Sequence, residues 1–494
     1  MGWTEIGLVL ILFLSAFLLR VLPHLRFRAG GADVWYYFLY IEKLKRGRKF
    51  PISMDSFLLD EKEQWYPPGF PFFLSLFPQK TLIQYHWVIS PSIDLINLLI
   101  LYSLVRTTTG SFIVALSAGL IYSVTPTLYT ENRNLNSRSF GALLGNLTIL
   151  LAIHFTETYS WESFVGTMVF GFLTLMSHKL TTQALIFFFL FFALLKGEWI
   201  YLGLIVAIFL VTFLFSLGFY YKVLLAHTDI LRFWRKNLVN LRAHQVFDSP
   251  LYSNSNYQSQ KFYRSGLKGV GLHLARLFAH NPFTFLIILP PLFGFPLDNY
   301  YWWGFAMLIL TFLTTFFNPL LFFGEGFKYL KLAAFPLSLC FASYFFGQDN
   351  ILFNGALTGT ILLCTGLMFY LHYYTTVGSK EDVTTTPPDL MEIMALLVAL
   401  PGERVLCFPS TISDTVAYHT RKKTLWGGHG YGFKNLEPFF PILEKPVEHF
   451  LGKYDISYLL LDKHYVEFRD FRFKEKAVEL LKENGRFSLY QVHL

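Results

Sequence analysis

Apolar runs recur down the whole of this 494-residue chain. Many reach the roughly 17–25 residues that a helix needs to cross a bilayer. Nothing else in the sequence constrains the fold as tightly, and the chain reads as a polytopic α-helical membrane protein. Composition agrees. Hydrophobic residues make up 53% and charged residues 15%, where a soluble domain carries about a quarter charged. Mean hydropathy is +0.42. The first run, "IGLVLILFLSAFLLRVL", lacks a basic leader and a small-residue cleavage site. It reads as a retained span, not a signal peptide.

By length and apolarity the spans fall near 4–22, 82–105, 111–129, 138–156, 162–177, 181–196, 199–221, 283–297, 301–322, 329–347 and 351–373, about eleven in all. Net charge is +8. In a chain of this type basic residues flank spans and meet anionic headgroups, so the expected partners are membrane lipids and not nucleic acid. Cys340, Cys364 and Cys407 are scattered and form no metal or redox pattern. The connections 105–110 and 194–199 carry Arg106 and Lys196, which the positive-inside rule places in the cytoplasm. Alternation then puts the N-terminus inside. It leaves 23–81, 129–137, 222–282 and the C-terminal tail outside. The basic loop 222–282 runs against the rule, but long loops translocate largely regardless of charge.

The first outer loop has structure of its own. "ADVWYYFLYIEKLKRG" spaces Trp35, Phe38 and Leu39 as a helix lying in the membrane interface would. "YPPGFPFFLSLFP" breaks at Pro67-Pro68 and offers a second short apolar helix, since proline suits a helix start. Beyond about residue 380 the composition changes. "KEDVTTTPPDL" reads as a linker with a helix start, "RVLCFP" and "ISYLLLD" as buried strands, and "RFSLYQVHL" as a last strand. "DFRFKEKAVELLKENG" reads as an amphipathic helix ending at a glycine. The expected division is therefore a transmembrane module over 1–378, with large outer loops 23–81 and 222–282, and a small extracytoplasmic α/β domain over 379–494.

Polar groups collect at one membrane face. Asp33 follows the first span, and "YTENRNLNSRSFG" (129–141), "SHKLT" (177–181) and "FGEGFKYLKL" (323–332) face the same side. Ionisable residues at that depth are costly unless paired or functional. These features resemble the GT-C glycosyltransferase superfamily, which includes oligosaccharyltransferases, protein O-mannosyltransferases and lipid A aminoarabinose transferases. "GADVWYYFLY" is similar to their first-loop acidic motif and "YPPGFPFF" to the Tyr-Pro-Pro segment of several branches. "NSRSFG" is similar to the Ser-Arg stretch near the second acidic motif of oligosaccharyltransferases. "GEGFKYLKLAAFP" is similar to the segment by which several members hold the donor phosphate. The resemblance covers about three quarters of the chain, the membrane part, as a layout. It departs at "ALLGNL", where oligosaccharyltransferases carry further acids; Glu131, seven residues before Arg138, is the nearest acid. The C-terminal domain has no Trp-Trp-Asp motif, so transfer to an Asn sequon is not expected.

The resemblance implies an inverting glycosyltransferase. It would move a sugar from a polyprenyl-phosphate-linked donor to a hydroxyl acceptor on the extracytoplasmic side. Asp33 is the candidate base, with Glu131 as a second catalytic acid. Partial desolvation near the headgroups would make Asp33 a better base. Lys328, Tyr329 and Lys331 are the candidates for the donor phosphate, with Arg138 and Lys179 as helpers. His178 could bind a divalent metal, Mg or Mn, together with Asp33 and Glu131. Each has a plainer rival: Asp33 as a helix cap or partner of Arg28, Glu131 paired with Arg133, His178 and Lys179 as interfacial residues, Lys328 and Lys331 snorkelling to headgroups. Asp94, inside a span, suits a helix–helix hydrogen bond better than a proton relay. The loop 222–282, with Arg232, Arg235, Lys236, Arg242 and Arg264, is either an amphipathic cover or a solvated segment. The glycines and aromatics of 425–435 suit a sugar-stacking loop or a flexible turn. Rival functions are a polymerase or ligase using a polyprenyl-diphosphate donor, a transporter or flippase, and a non-catalytic scaffold. No internal repeat of the transporter kind is visible.

Overall fold

The computed structural model describes residues 2–26, 33–47, 50, 52–59, 65–132, 134–252, 257–263, 266–347, 350–374, 386–427, 432–471, 473 and 478–493. The chain divides into two compact units. One comprises Met1–Arg28, Gln79–Tyr220 and Gly266–Asp382, the other Ala29–Pro78, Tyr221–Ser265 and Val383–Leu494. In chain order the helices are α1 (Trp3–Arg26), α2 (Asp33–Gly47), α3 (Gly69–Ser75), α4 (Gln79–Thr109), α5 (Phe112–Ser123), α6 (Pro126–Asn132), α7 (Ser137–Thr158), α8 (Trp161–Leu175), α9 (Lys179–Lys196) and α10 (Ile200–Phe215). They continue as α11 (Phe219–Asn237), α12 (Gly266–His280), α13 (Leu289–Leu292), α14 (Asn299–Phe316), α15 (Leu330–Gly347), α16 (Ile351–Tyr373), α17 (Pro388–Ala399), α18 (Ser413–Thr420) and α19 (Val447–Lys453).

The first unit is the helical bundle. Among the described residues, six helices are long and apolar enough to cross a membrane, or nine if each of three bent pairs is one span. The protein is thus a multi-pass membrane protein. Burial ranks the helices. The α15 window is 72% buried, against 22% for α1 and α16, so α15 runs through the middle of the bundle and the other two face outward. It packs against α5, α14, α4, α6 and α7. The bend of 58° between α5 and α6 falls just before Pro126, where the missing N–H ends the preceding ladder. The expected span 283–297 is not one helix. Pro282–Ile288 is a 3-10 segment and only Leu289–Leu292 is α-helical. The prolines at 282, 290, 291 and 296 remove the donors that a straight helix needs.

The second unit is built on a five-stranded mixed sheet, order β2-β1-β3-β5-β4, with β1 (Arg404–Phe408), β2 (Lys423–Thr424), β3 (Tyr458–Asp462), β4 (Val478–Glu483) and β5 (Phe487–Val492). β1 runs parallel to β2 and β3, and β5 antiparallel to β3 and β4. Strand alternation splits the sheet into two apolar faces. Val405, Cys407, Leu460 and Leu489 pack with Leu390, Ile393 and Leu397 of α17. Leu406, Phe408, Leu459 and Leu461 pack with Ile230, Phe233, Val246 and Tyr252, and with Leu59. Both outer-loop segments therefore supply core to the sheet. Asn237 Nδ2 donates to Glu437 Oε1 at 2.7 Å and Gln245 Nε2 to the Phe439 carbonyl at 2.9 Å. Lys236 pairs with Glu437. Residues 222–252 are thus packed structure, not a solvated loop; Arg264 lies outside the described residues.

Three expectations for this unit need correction. The segment expected as an amphipathic helix over 470–485 ends in β4, whose Val478–Glu483 ladder with β5 overrides its helical residues; 474–477 lie outside the described residues. Helix α2 forms as expected but does not present one face to an interface. Val34, Tyr36–Leu44 less Lys43 are buried, because aromatics surround it. Trp35 packs on Tyr418 and His419 (5.0 and 4.4 Å between ring centres), and Tyr36 stacks on Phe57. Arg421 grips Glu42 with two hydrogen bonds of 2.7 and 3.0 Å. Burial, aided by Arg421, holds the His419 ring below its ordinary pKa, so it is neutral at pH 7. In the 425–435 loop, Trp426 and Phe433 are buried core residues, which removes them as a sugar-stacking surface; 428–431 lie outside the described residues.

Phe57 bridges β2 through Thr424 and is 3% exposed. Phe57→Ala is expected to cost the second unit about 3–5 kcal/mol. Limited proteolysis should then show 50–59 and the C-terminal sheet becoming cleavable together.

Candidate active site

The charged groups of the helical unit meet at the corner between α6 and α7. Asn136 fixes that corner. Its Oδ1 accepts from the Arg138 N–H (2.9 Å) and caps α7, its Nδ2 donates to the Glu131 and Asn134 carbonyls (2.7 and 2.8 Å), and its own N–H donates to Ser90 Oγ on α4 (3.2 Å). Glu131, at the end of α6, and Arg138, in the first turn of α7, are thereby brought into an ion pair. Arg133, the rival partner, lies outside the described residues.

Lys331 enters from the first turn of α15 and is 6% exposed. Its Nζ donates to Asn132 Oδ1 and, at 3.4 Å, to Ser139 Oγ, while Ser139 Oγ donates to the same Asn132 oxygen at 2.8 Å. Lys331 is therefore not snorkelling. A buried ammonium needs partners, and α6 and α7 supply them. Its electrostatic neighbours are Glu131, Asp94, Arg138 and Arg20. Glu131 in turn feels Arg138, Lys331 and Lys328. Lys328 also pairs with Glu325 at 2.9 Å. Three cations, Arg138, Lys328 and Lys331, thus share one neighbourhood with two carboxylates, Glu131 and Glu325. The surplus is positive and suits an anion.

Tyr329 sits on the same short turn as Lys328, fully buried, and donates its hydroxyl proton to Gln183 Oε1 at 2.6 Å. The turn depends on Gly326. A Cβ there would collide with Thr315 Oγ1 and lie 2.6 Å from the Thr311 carbonyl oxygen. His178 and Lys179 open α9. The His178 ring caps that helix, with Nδ1 2.9 Å from Thr181 Oγ1 and accepting the Thr181 N–H at 3.4 Å. The close approach of α7 that Gly141 permits is directed at this residue, since a Cβ at Gly141 would stand 2.5 Å from His178 Cβ. His178 thus has a packing and capping role. Among the described residues no group of three His, Cys, Asp or Glu side chains is placed to hold a metal ion.

Asp33 belongs to the other unit. It opens α2, half-buried, in the first turn where the helix dipole favours an anion; Arg28 lies outside the described residues. The sequence reading missed Asn132, Asn136, Ser139 and Gln183. Asn136 carried a signal, because Asn directly before an apolar helical run is a favoured N-cap. The others are neutral and become visible only through what they hold. Gly326→Ala is expected to displace the Lys328–Lys331 turn. It should lower the stability of the purified protein by the roughly 1–3 kcal/mol of an overpacked contact, measured by thermal unfolding.

A family model described as dolichyl-phosphate-mannose-protein mannosyltransferase matches residues 67–216, a stretch that contains Glu131, Arg138, His178 and Lys179. No curated protein matches at the sequence level. Solved structures do match. The oligosaccharyltransferase AglB from Archaeoglobus fulgidus, in complex with an inhibitory peptide and a dolichol-phosphate, aligns with a TM-score of 0.57 at 13% identity, over 93% of this chain and 70% of AglB. ArnT from Cupriavidus metallidurans, bound to undecaprenyl phosphate, aligns with a TM-score of 0.59 at 10% identity, over 98% of both chains. The Archaeoglobus enzyme complexed with Zn and sulfate aligns at 0.56 and 14% identity, over 91% of this chain and 68% of that one. The chain thus shares the fold of AglB and ArnT.

Proposed function

We propose that this protein is an inverting GT-C glycosyltransferase that moves a sugar from a polyprenyl-phosphate donor to a hydroxyl acceptor. The observation that carries the reading is the buried Lys331, held with Arg138 and Lys328 around Glu131 in a bundle of this fold. Transfer needs a base to take the acceptor's proton, a new bond from the acceptor oxygen to the anomeric carbon, and departure of the lipid phosphate with the electrons of the broken C–O bond. Asp33 supplies the base. Lys328, Lys331 and Arg138 supply fixed positive charge for the leaving phosphate oxygen, where low dielectric makes such contacts strong. Tyr329 and Lys179 support the same segments. Glu131 keeps the cations from repelling one another when no phosphate is bound. Attack opposite the phosphate inverts the anomeric carbon.

Asp33→Asn should lower transfer from a short-chain polyprenyl-phosphate sugar by about 10²–10⁴, the range of general-base catalysis, with binding of undecaprenyl phosphate unchanged. Lys328→Ala should do the opposite, weakening the lipid while leaving the pH profile of transfer alone. Activity near wild type in Asp33→Asn removes the base.

The same reading places the N-terminus in the cytoplasm and the C-terminal domain outside. The three native cysteines are buried, and burial pushes the Cys407 thiol up to about 12, out of the reactive range. Thiol labelling therefore has little background. Arg469→Cys, at an exposed site, should label from outside intact cells and Thr108→Cys only after permeabilisation; the reverse pattern overturns the topology.

A further inference from the structure

One helix of the first unit is built inside out. In α12, Leu267 is 90% exposed, and Val270, Leu274 and Phe278 are 43%, 38% and 42% exposed. At 3.6 residues per turn these four fall within an arc of about 80°. Gly269, His273 and Leu277 are buried on the other side. The His273 ring meets Phe316 at 6.2 Å between ring centres, and the His280 ring lies 4.3 Å from that of Phe327. A helix on a water-facing surface does the reverse, hiding its leucines and showing its polar side chains.

Neighbours hold α12 in this orientation. It packs on α6, on the 3-10 segment Pro282–Ile288 and on the Gly326–Tyr329 turn. Asn281, the residue after it, donates from Nδ2 to the Leu330 carbonyl at 3.3 Å. Rotating the helix to bury its leucines would pull His280 from Phe327 and His273 from Phe316. An exposed apolar arc of this kind marks a surface that something else covers.

Length excludes a crossing of the bilayer. The 15 residues of α12 rise about 22 Å, short of the roughly 30 Å of hydrocarbon, and the chain then turns by 100° into Pro282–Leu292. Charge favours an anionic surface. The helix holds Lys268 and Arg276 and no acid. Lys268 is exposed beside the apolar arc, where its stem can lie along the leucines while its ammonium reaches a lipid phosphate. The apolar surface also continues beyond the helix. Phe278 packs on Phe285, 5.5 Å between ring centres, and further along Ile288 and Leu292 are exposed in the same unit. A leaflet of the bilayer is a cover of that extent, apolar in its depth and anionic at its rim.

We propose that α12 lies embedded in one leaflet of the membrane, with Leu267, Val270, Leu274 and Phe278 against acyl chains and Lys268 at the headgroups. The partner is the lipid surface itself. This contact is independent of sugar transfer and would be present in an inactive chain.

Full-length Leu267→Cys and Leu274→Cys variants are each labelled with a nitroxide and reconstituted into vesicles of phosphatidylethanolamine and phosphatidylglycerol. Power-saturation EPR reads collisions of the label with oxygen, which concentrates in hydrocarbon, and with a water-soluble nickel chelate. Background labelling is low because Cys340, Cys364 and Cys407 are buried. Arg469→Cys, at an exposed site, is the aqueous reference. At positions 267 and 274 oxygen access should exceed nickel access, with the 274 label about 5–10 Å below the phosphates, and Arg469→Cys should show the opposite order. Val270→Cys serves where Leu274→Cys does not fold. Nickel access at 274 equal to that of Arg469→Cys puts the helix in water and overturns the inference. Low access to both reagents puts the arc under protein and overturns it equally.

Discussion

A charge placed among membrane-spanning helices must find its partners inside the protein, and that requirement organises the helical unit. Lys331 is the demanding case. It occupies α15, the most enclosed of the candidate spans, and its ammonium is met by a neutral amide and a hydroxyl, not by a carboxylate. Glu131 helps from the next residue over but gives its ion pair to Arg138. The arrangement satisfies Lys331 in hydrogen bonds through neutral partners, with Glu131 acting on it from a distance. A direct Lys–Glu pair would be easier to bury and less useful to an arriving anion. Asn136 matters for the same reason, since its cap sets where α7 begins and so where Ser139 and Arg138 stand.

The second unit solves a different problem, the holding of short loop helices. A helix such as α2, at the length of Asp33–Gly47, is marginal alone in water. Here α18 and α3 give it surfaces to pack on, and Arg421 ties it down through Glu42. Tyr37 and Tyr66 join hydroxyls at 3.0 Å, linking α2 to the segment that starts α3. Asp33 is thus carried on a rigid element and not on a free loop. Precise placement of a base is worth several orders of magnitude in rate, so the sheet domain contributes to the proposed catalysis without carrying a catalytic group.

Much of this was legible in the residues. Long apolar runs announced the bundle, and short continuous apolar runs such as Val405–Phe408 announced the sheet. The reading failed where a local signal competed with a partner elsewhere in the chain. "VELLKE" has helical residues, but β5 offers its edge, and pairing decided the matter. The run 283–297 is apolar enough to span, yet its prolines count for more than its hydropathy. The spacing of Trp35, Phe38 and Leu39 suggests a single apolar face on α2, but its tyrosines are buried as well. In the site, the ionic residues could be named from sequence, but Asn132, Ser139 and Gln183 could not, because neutral polar side chains acquire meaning only from their partners. The loop segments that complete the sheet domain were also hidden, since nothing local marks Phe233 or Val246 as core for strands two hundred residues later.

The charge balance of the site argues for a reaction in which negative charge arrives and then grows. A site made only to hold a neutral sugar would gain nothing from gathering Arg138 and Lys328 beside the buried Lys331, and would bear their mutual repulsion. A site with cations alone would bind a phosphate too well and release it slowly. Two carboxylates among three cations leave an excess that a phosphodiester, carrying one negative charge, neutralises. In the proposed reaction the phosphate gains a second charge when its bond to the sugar breaks, and the same fixed cations would stabilise it more than they stabilised the donor. Interactions that strengthen along the reaction are those that accelerate it. In the proposed reaction Glu131, held against Arg138, limits that attraction and so allows the spent lipid to leave.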